Sequence, residues 1–373
     1  MVDICGRHLV TSTFWMRRKQ CLCVLPLMIV LYLVLIQYTV WNNHKSINHQ
    51  TKQTTPQNNG VTMTAIPKVL QLFGKYNTAR ITTSGMPYNL TQVTERRPNM
   101  TPITSDYHKN HFITINVMGR LGNNMFQLAA LISCAKRLHF TAFVSPNQEL
   151  DSYFLVSITS DIKLTNEKTF FEQTYAKYDG NIERLDTSYN WTLFGYYQSW
   201  KYFYKDEDLI RRSFEFRPNV SKTASQFVDG FRDKHKTIVG IHVRRGDMTM
   251  QNNEMIGYTT APLSYINKSM NYFRDRYNDT FFIICSDDIT WCKENIRGNN
   301  DTAFSNFNNP GTVMAMLSFC DHVIITSGTF GWWAAWLAGG EVVYFKGFPR
   351  PGSNIDKGMS REDYYPPQWI GME

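Results

Sequence analysis

Short apolar runs alternate with amphipathic stretches through the last third of the chain. The run Ile238–Val243 is the clearest of them, because a short β-branched run is typical of a strand buried on both faces of a parallel sheet. The same criteria predict further strands at 281–285, 322–326 and 341–345, with helices at 263–277, 289–296 and 313–320. This strand–helix alternation predicts an α/β fold built on a parallel sheet.

The alternation is weaker upstream of this region. Residues 112–117 form a predicted strand, a glycine-containing loop follows at 119–124, and apolar residues recur at helical spacing from 125 to 135. A second strand is predicted at 141–145. Between 150 and 236 the pattern of apolar and polar positions gives no clear order of strands and helices, so this stretch is the least determined part of the predicted fold.

Aromatic residues cluster between Gly195 and Tyr204. Rings of this kind bind the apolar face of a sugar, but they also fill protein cores and the interfaces between domains. Core packing is the more frequent of these uses. The sequence therefore leaves both interpretations of the cluster open.

A separate apolar run lies near the amino terminus. Residues 21–40 carry no charge, and a helix of this length crosses the hydrocarbon core of a membrane. Basic residues precede the run at 17–19, which predicts that residues 1–20 are a cytoplasmic tail and that the chain continues into the lumen. A cleaved signal peptide is the alternative. Its apolar core is normally shorter, and no Ala-x-Ala-like site follows Val40, so we expect a transmembrane signal anchor at 21–41.

The segment after the predicted anchor, residues 42–110, is rich in Thr, Asn, Gln and Pro. It has too few apolar residues to offset the entropy of ordering, so we predict a flexible lumenal stem. Glycosylation sequons occur only after the anchor, which agrees with a lumenal location. They begin at Asn89, Asn99, Asn190, Asn219, Asn267, Asn278 and Asn300.

The formal net charge of +8 raises the possibility of a nucleic-acid partner. We reject that possibility because the chain has no dense basic block outside its amino terminus and no nucleic-acid motif. No cluster of His, Cys and Asp residues has metal-ligand spacing, and we find no Asp-x-Asp of the kind that holds a metal and a nucleotide diphosphate, which counts against a metal-dependent transferase. Cysteines at 134, 285, 292 and 320 allow three full disulfide pairings, and the sequence does not choose among them.

Charged residues directly follow the strand predicted at Ile238–Val243. His242 and Arg244 are two positions apart and point to one side of a strand, whereas Arg245 points to the other. Ligands of parallel sheets bind at the carboxyl ends of strands, where an arginine grips a phosphate by paired hydrogen bonds. A structural Arg–Asp pair is the alternative for both arginines, and it is the favoured interpretation for Arg245.

Two polar glycine loops lie between a predicted strand and a predicted helix, at 119–124 and 327–331. Backbone N–H groups at the start of a helix favour an anion, although the first loop is equally a tight packing turn. Arg120 and Asn123 favour function there, because neither is needed to make a turn. The segment 286–288 is equally open: it either caps the following helix or receives a nucleobase or ribose.

The order and spacing of several motifs resemble the galactoside α-1,2-fucosyltransferases across roughly residues 110–370. Each motif alone is unspecific, and their conjunction is highly specific. The motifs are Gly119–Asn123, His242–Asp247, Trp291–Ile296, Gly328–Ala335 with Leu337–Gly340, and Pro367–Gly371. The short tail, anchor and stem are similar to that family's Golgi membrane architecture.

The resemblance implies a GT-B fold, in which two Rossmann-like domains face each other across a cleft. Residues 111–236 would be the acceptor-side part and residues 237–373 the part that binds GDP-fucose. It also implies transfer of fucose from GDP-β-L-fucose to the 2-hydroxyl of a terminal galactose on a glycan, with inversion and without a bound metal.

The same resemblance assigns residues to the site. Arg244 would contact the β-phosphate, with His242 beside it. The general base is open, because Asp247 and Glu254 are candidates and neither matches a family residue. The implied catalytic residues are Arg244, His242 and Asp247; the implied donor-binding residues are Gly119, Arg120, Asn123, Arg244, Asp287, Ser327, Gly328, Thr329 and Phe330. The acceptor glycan stays open because 150–236 diverges from the family.

Overall fold

A computed structural model describes residues 111–156, 164–298 and 300–373. The predicted tail, signal anchor and stem lie outside these residues, as do Asn89 and Asn99. No helix in the described part of the chain is long and apolar enough to cross a membrane.

The first sheet has four parallel strands in the order β2-β1-β4-β3. They are β1 (Phe112–Ile115), β2 (Thr141–Ala142), β3 (Glu167–Phe171) and β4 (Asn190–Phe194). Helix α1 (Leu121–Leu138) follows β1, and helix α2 (Gln148–Tyr153) follows β2. The strand predicted at 141–145 is wrong in length: β2 ends at Ala142, although the Phe143 N–H still donates to the Ile113 carbonyl at 3.1 Å.

Helical segments connect the two sheets. Short 3-10 turns at Trp200–Tyr202 and Tyr204–Asp206 lead into α3 (Glu207–Ser213), and α4 (Pro218–Arg232) follows. Proline opens α4, where its missing N–H leaves no donor unpaired. Helix α3 ends at Ser213, before Pro218 opens α4.

The second sheet has six parallel strands in the order β10-β9-β8-β5-β6-β7. They are β5 (Thr237–Val243), β6 (Thr280–Ser286), β7 (Thr302–Phe304), β8 (His322–Ile325), β9 (Val342–Phe345) and β10 (Ile370–Met372). The helices are α5 (Gln251–Ile256), α6 (Leu263–Arg276), α7 (Ile289–Asn295), α8 (Pro310–Ser318), α9 (Thr329–Ala338), α10 (Asn354–Lys357) and α11 (Arg361–Tyr364).

Strand β5 is buried on both faces, as its apolar run predicts. Ile238 packs into the core that the second sheet shares with the first, whereas Val239, Ile241 and Val243 pack on the opposite face with α6. The parallel α/β fold predicted from the sequence is confirmed. The short strand β7 and the edge strand β10 were not predicted by the apolar pattern.

Aromatic packing between α1 and α9 joins the two sheets. The ring centroid of Phe126 lies 4.6 Å from that of Trp332 and 5.1 Å from that of Trp333. Phe203 stacks on Trp333 at 5.3 Å. Phe203, like Tyr202, is buried in the shared core, so core packing is the confirmed role for this part of the 195–204 cluster.

Candidate active site

A cleft of about 1080 Å³ opens at the carboxyl ends of β1, β5, β6 and β8. The catalytic and donor-binding residues expected from the sequence all line this one cleft. They are Gly119, Arg120, Asn123, His242, Arg244, Asp247, Asp287, Ser327, Gly328, Thr329 and Phe330. Glu254, the second candidate for a general base, is instead exposed on α5.

Arg244 is held from both sides at the end of β5. Its backbone N–H donates to Thr326 Oγ1 at 2.8 Å. The guanidinium donates from Nη1 to Asp287 Oδ2, and its Nη2 lies 2.5 Å from Asp247 Oδ1. Asp287 accepts a hydrogen bond and Asp247 adds an ion pair, so the guanidinium is held between two carboxylates at the end of β5. The Arg–Asp pairing considered as an alternative is therefore present.

Arg245 points away from Arg244, toward α7. Its Nε lies 3.5 Å from Asp288 Oδ2, and its guanidinium carbon lies 4.0 Å above the Trp291 ring. Asp288 also caps α7, because its Oδ1 accepts from the Trp291 N–H at 3.2 Å. Within 286–288 the two open roles are thus divided: Asp288 caps the helix, and Asp287 faces the cleft. The structural interpretation of Arg245 agrees with these contacts.

His242 is a buried ring, 7% exposed, that lines the cleft. Burial lowers the pKa of its imidazole to about 4; Arg244 also lowers it, and Asp287 opposes the shift. The ring is therefore neutral near pH 7. Its Nδ1 has no hydrogen-bond partner within the described residues. Glycine at 331 makes room for this nitrogen, since a Cβ there would lie 2.5 Å from it.

The two glycine loops meet at Asn123. Its Oδ1 accepts from Thr329 Oγ1 at 2.9 Å and from Gln198 Nε2 at 3.0 Å. Gly122 allows the contact, because a Cβ there would lie 2.6 Å from the backbone carbonyl carbon of Thr329. The amino ends of α1 and α9 consequently both open at the cleft, where the dipole of each helix favours an anion. The first loop is both a packing turn and part of the cleft wall.

The electrostatics of the cleft are mixed in sign. Arg120 and Arg244 are its cationic side chains, and Glu149, Asp247 and Asp287 are its acidic ones. No group of three or more His, Cys, Asp or Glu side chains that could hold a metal ion occurs in 111–156, 164–298 or 300–373. Metal-independent chemistry stays a prediction from the sequence.

The four cysteines of the described part are free and buried. They are Cys134, Cys285, Cys292 and Cys320, and burial raises the pKa of each thiol. None of the three pairings that the sequence allowed is formed.

Aromatic and apolar side chains that the sequence did not assign to the site line one side of the cleft. They include Tyr175, Tyr196, Tyr258, Phe348, Ile355 and Met359. Tyr196 belongs to the 195–204 cluster, for which sugar binding was one of two interpretations. Tyr175 and Tyr258 stand in stretches with no recognisable motif, so no local signal identifies them.

The described sequon asparagines differ in exposure. Asn219, Asn267, Asn278 and Asn300 are exposed, which suits attachment of a glycan. Asn190 is half-buried, and its amide is engaged at both ends: Oδ1 accepts from the Phe112 N–H at 2.8 Å, and Nδ2 donates to the Thr165 carbonyl at 2.7 Å. Glycosylation of all five stays a prediction.

Residues 88–373 match the sequence model of Glycosyl transferase family 11. The chain belongs to glycosyl transferase family 11. This confirms the family suggested by the motifs.

Two relatives show how far the similarity extends. The family 11 chain is 32% identical over 279 residues to galactoside 2-alpha-L-fucosyltransferase SEC1 from Bos taurus, covering 69% of this chain and 73% of that one. It is 30% identical over 302 residues to galactoside alpha-(1,2)-fucosyltransferase 2 from Sus scrofa, covering 76% and 85%. Among solved structures, fucosyltransferase NodZ from Bradyrhizobium aligns with a TM-score of 0.41 at 14% identity, covering 61% of the family 11 chain and 93% of NodZ.

The neutral state of His242 predicts a pH-dependent stability. Below pH 6.5 the unfolded chain takes up a proton at this residue that the folded chain takes up only below about 4. The free energy of unfolding should therefore fall as pH drops through this window, by up to about 3 kcal/mol from this residue.

We expect His242→Gln to show a flatter dependence of Tm on pH than the wild type between pH 7 and 4. The control His139→Asn changes an exposed histidine and should keep the wild-type slope. Parallel curves for wild type and His242→Gln would contradict the assignment.

Proposed function

We propose that this protein is a galactoside α-1,2-fucosyltransferase. It moves L-fucose from GDP-β-L-fucose to the 2-hydroxyl of a terminal galactose on a glycoprotein, glycolipid or oligosaccharide, with inversion and without a bound metal. The names of the family 11 relatives support this reaction. The observation that carries it is Arg244, oriented by two carboxylates in a cleft onto which two helix amino ends open.

In this proposal the two parallel sheets correspond to the two Rossmann-like domains of a GT-B fold. Residues 111–236 form the acceptor side, and residues 237–373 hold the donor. Side chains from both parts line the cleft, which supports the division. A cleft lined by both parts of the chain has room for two substrates side by side.

The diphosphate of the donor is placed at Arg244 and at the amino end of α9. As the bond between fucose and the β-phosphate oxygen breaks, its electron pair leaves with GDP, and the oriented guanidinium meets the growing negative charge. The acceptor oxygen attacks the anomeric carbon from the opposite face, which inverts it. The hydroxyl proton passes to the carboxylate of Asp247, which lies against the guanidinium on the side away from Asp287.

The reaction is tested by incubating the purified full-length protein with GDP-fucose and simple β-galactosides, with and without EDTA. We expect fucosylated galactoside in both samples and, by methylation analysis, substitution at the 2-hydroxyl. Another linkage would support a fucosyltransferase of different specificity instead. Galactoside binding without turnover would indicate a silent glycan-binding protein, and loss of activity in EDTA would contradict metal-independent transfer.

Arg244→Ala should leave a folded protein that has lost most transfer activity. Loss of one preorganised donor to developing charge costs about 2.7–4 kcal/mol, or roughly 10²–10³ in rate. Arg244→Lys should recover part of the loss, because an ammonium keeps the charge without the planar fork. The measurement is kcat/KM for GDP-fucose beside the melting temperature.

Arg245→Ala is the matched control for this prediction. It removes the contacts to Asp288 and Trp291, so we expect a lower melting temperature with turnover retained in the folded fraction. Near-wild-type turnover of Arg244→Ala, or a loss explained by its unfolding, would show that Arg244 does not hold the phosphate.

We also infer that the protein is a single-pass Golgi membrane protein with a lumenal catalytic part. The uncharged run at 21–40, the basic residues before it and the sequons after it support this topology. In sealed microsomes, residues 111–373 should resist external protease until detergent is added, and endoglycosidase should then lower the apparent mass. Digestion without detergent would reverse the orientation.

A further inference from the structure

The cleft extends from Arg244 in two directions, which the strand order defines. Strand β5, which carries Arg244 at its end, lies between β8 and β6. Beyond β6 and β7, toward α2, polar side chains line the cleft together with Ile289, Phe307 and Val313. We call this the polar arm, and define it by Glu149, Ser286, Asp287, Ser305 and Asn308. Beyond β8 and β9 lies the aromatic arm, defined by Tyr175, Tyr196, Tyr258, Phe348, Ile355 and Met359.

Contacts to the segment after β9 assemble the aromatic arm. The ring centroids of Tyr258 and Phe348 lie 6.0 Å apart, and Thr259 Oγ1 donates to the Gly347 carbonyl at 2.8 Å. From the opposite wall, the Tyr175 hydroxyl donates to the Ile355 carbonyl at 2.7 Å. The aromatic arm is therefore a fixed structure with contributions from both sheets.

The side-chain carboxyl group of Glu172 fixes the turn that carries Tyr196. Glu172 Oε2 accepts from the backbone N–H groups of Tyr196 and Tyr197, both at 2.8 Å, and Oε1 accepts from the Tyr202 hydroxyl at 3.2 Å. Tyr197 has φ of 53°, a conformation that is costly for a residue with a side chain. Glu172 thus holds an unfavourable turn, and the result is that Tyr196 reaches the cleft.

The two arms suit different parts of the two substrates. The anomeric carbon must lie beside the phosphate, hence beside Arg244, so the nucleoside and the acceptor must leave it in different directions. A guanosine presents many hydrogen-bond donors and acceptors, which the carboxylates, hydroxyls and amide of the polar arm can satisfy. One face of galactose presents C–H groups, which pack well on aromatic rings.

Asp247 lies where the two substrates would meet. Its carboxylate is 2.5 Å from Arg244, and Asp247 lines the same cleft as Tyr196 and Tyr258; burial raises the pKa of the Tyr258 hydroxyl, and the charge of Asp247 raises it further. A sugar that packs against Tyr196 and Tyr258 therefore has its hydroxyls near Asp247.

We propose that the aromatic arm is the binding site for the acceptor galactose, that Tyr196 and Tyr258 contact the sugar, and that Glu172 is a positioning residue for Tyr196. This inference rests on the proposed fucosyltransferase activity. Of this surface, the sequence indicated only Tyr196, through the 195–204 cluster.

The test is steady-state kinetics of the purified full-length protein, with each substrate varied in turn. Tyr196→Ala and Tyr258→Ala should each raise KM for the galactoside about tenfold, which corresponds to one lost packing contact of about 1.4 kcal/mol. KM for GDP-fucose should stay within about twofold of the wild-type value, because in this proposal neither tyrosine contacts the donor. The matched control is Asn308→Ala in the polar arm, which should raise KM for GDP-fucose and leave the galactoside KM unchanged.

Glu172 is tested by a pair of variants. Glu172→Ala should raise the galactoside KM as Tyr196→Ala does, and should add little in the Tyr196→Ala background. Glu172→Gln should restore most of the affinity, because its carbonyl oxygen can accept the same two N–H bonds. A purely structural role would instead lower the melting temperature and the folded fraction without this selective change in KM.

The outcomes separate the inference from the activity on which it rests. If the wild type transfers no fucose to galactosides, the proposed function fails. If the wild type is active and both tyrosine variants keep the wild-type galactoside KM, the aromatic arm is not the acceptor site although the function stands. A rise in KM for GDP-fucose alone in these variants would mean that the two arms are assigned the wrong way round.

Discussion

The contact between α1 and α9 determines what the rest of the molecule can do. Phe126, Trp332 and Trp333 fill the space between the two helices and are fully buried. Each helix follows a glycine loop, so the packing of the helices also fixes the distance between the loops. Because protein interiors are packed as densely as organic crystals, a shift of one helix is transmitted to the other. The shape of the cleft is therefore set by an apolar interface that contains none of its catalytic groups.

The two carboxylates beside Arg244 orient its guanidinium, but they also weaken its attraction for an anion. Asp247 and Asp287 hold its two terminal nitrogens, and they also cancel its charge as seen from a distance. Attraction of an anion then depends more on Arg120 and on the two helix amino ends, whose partial charges are fixed in place. The guanidinium contributes most at short range, where direction matters more than net charge.

The sequence predicted those parts of the fold and site whose signal is local. Strand β5 and the loops after β1 and β8 can be recognised in the sequence, because each of these strands is a short apolar run that ends in glycine and polar residues. Strand β3 does not, because it is an edge strand whose side chains are mostly exposed. The aromatic arm depends on contacts between distant segments, such as that of Tyr175 with Ile355, which lie 180 positions apart. Within the 195–204 cluster, sequence cannot separate Tyr202 from Tyr196, since only tertiary burial distinguishes them.

The hydrogen bonds of Asn123 explain why an uncharged amide is found at this point. Both lone pairs of its Oδ1 are occupied, by Thr329 and by Gln198, and its Nδ2 lies against Gly119. An aspartate has the same size and could accept both bonds. It would, however, place a negative charge where two helix amino ends converge, and so compete with any anionic ligand for them. The Asn123 amide therefore connects the two walls of the cleft without adding a negative charge. The positive potential at the two helix amino ends stays available to an anionic ligand, so one side chain holds the walls together without weakening anion binding.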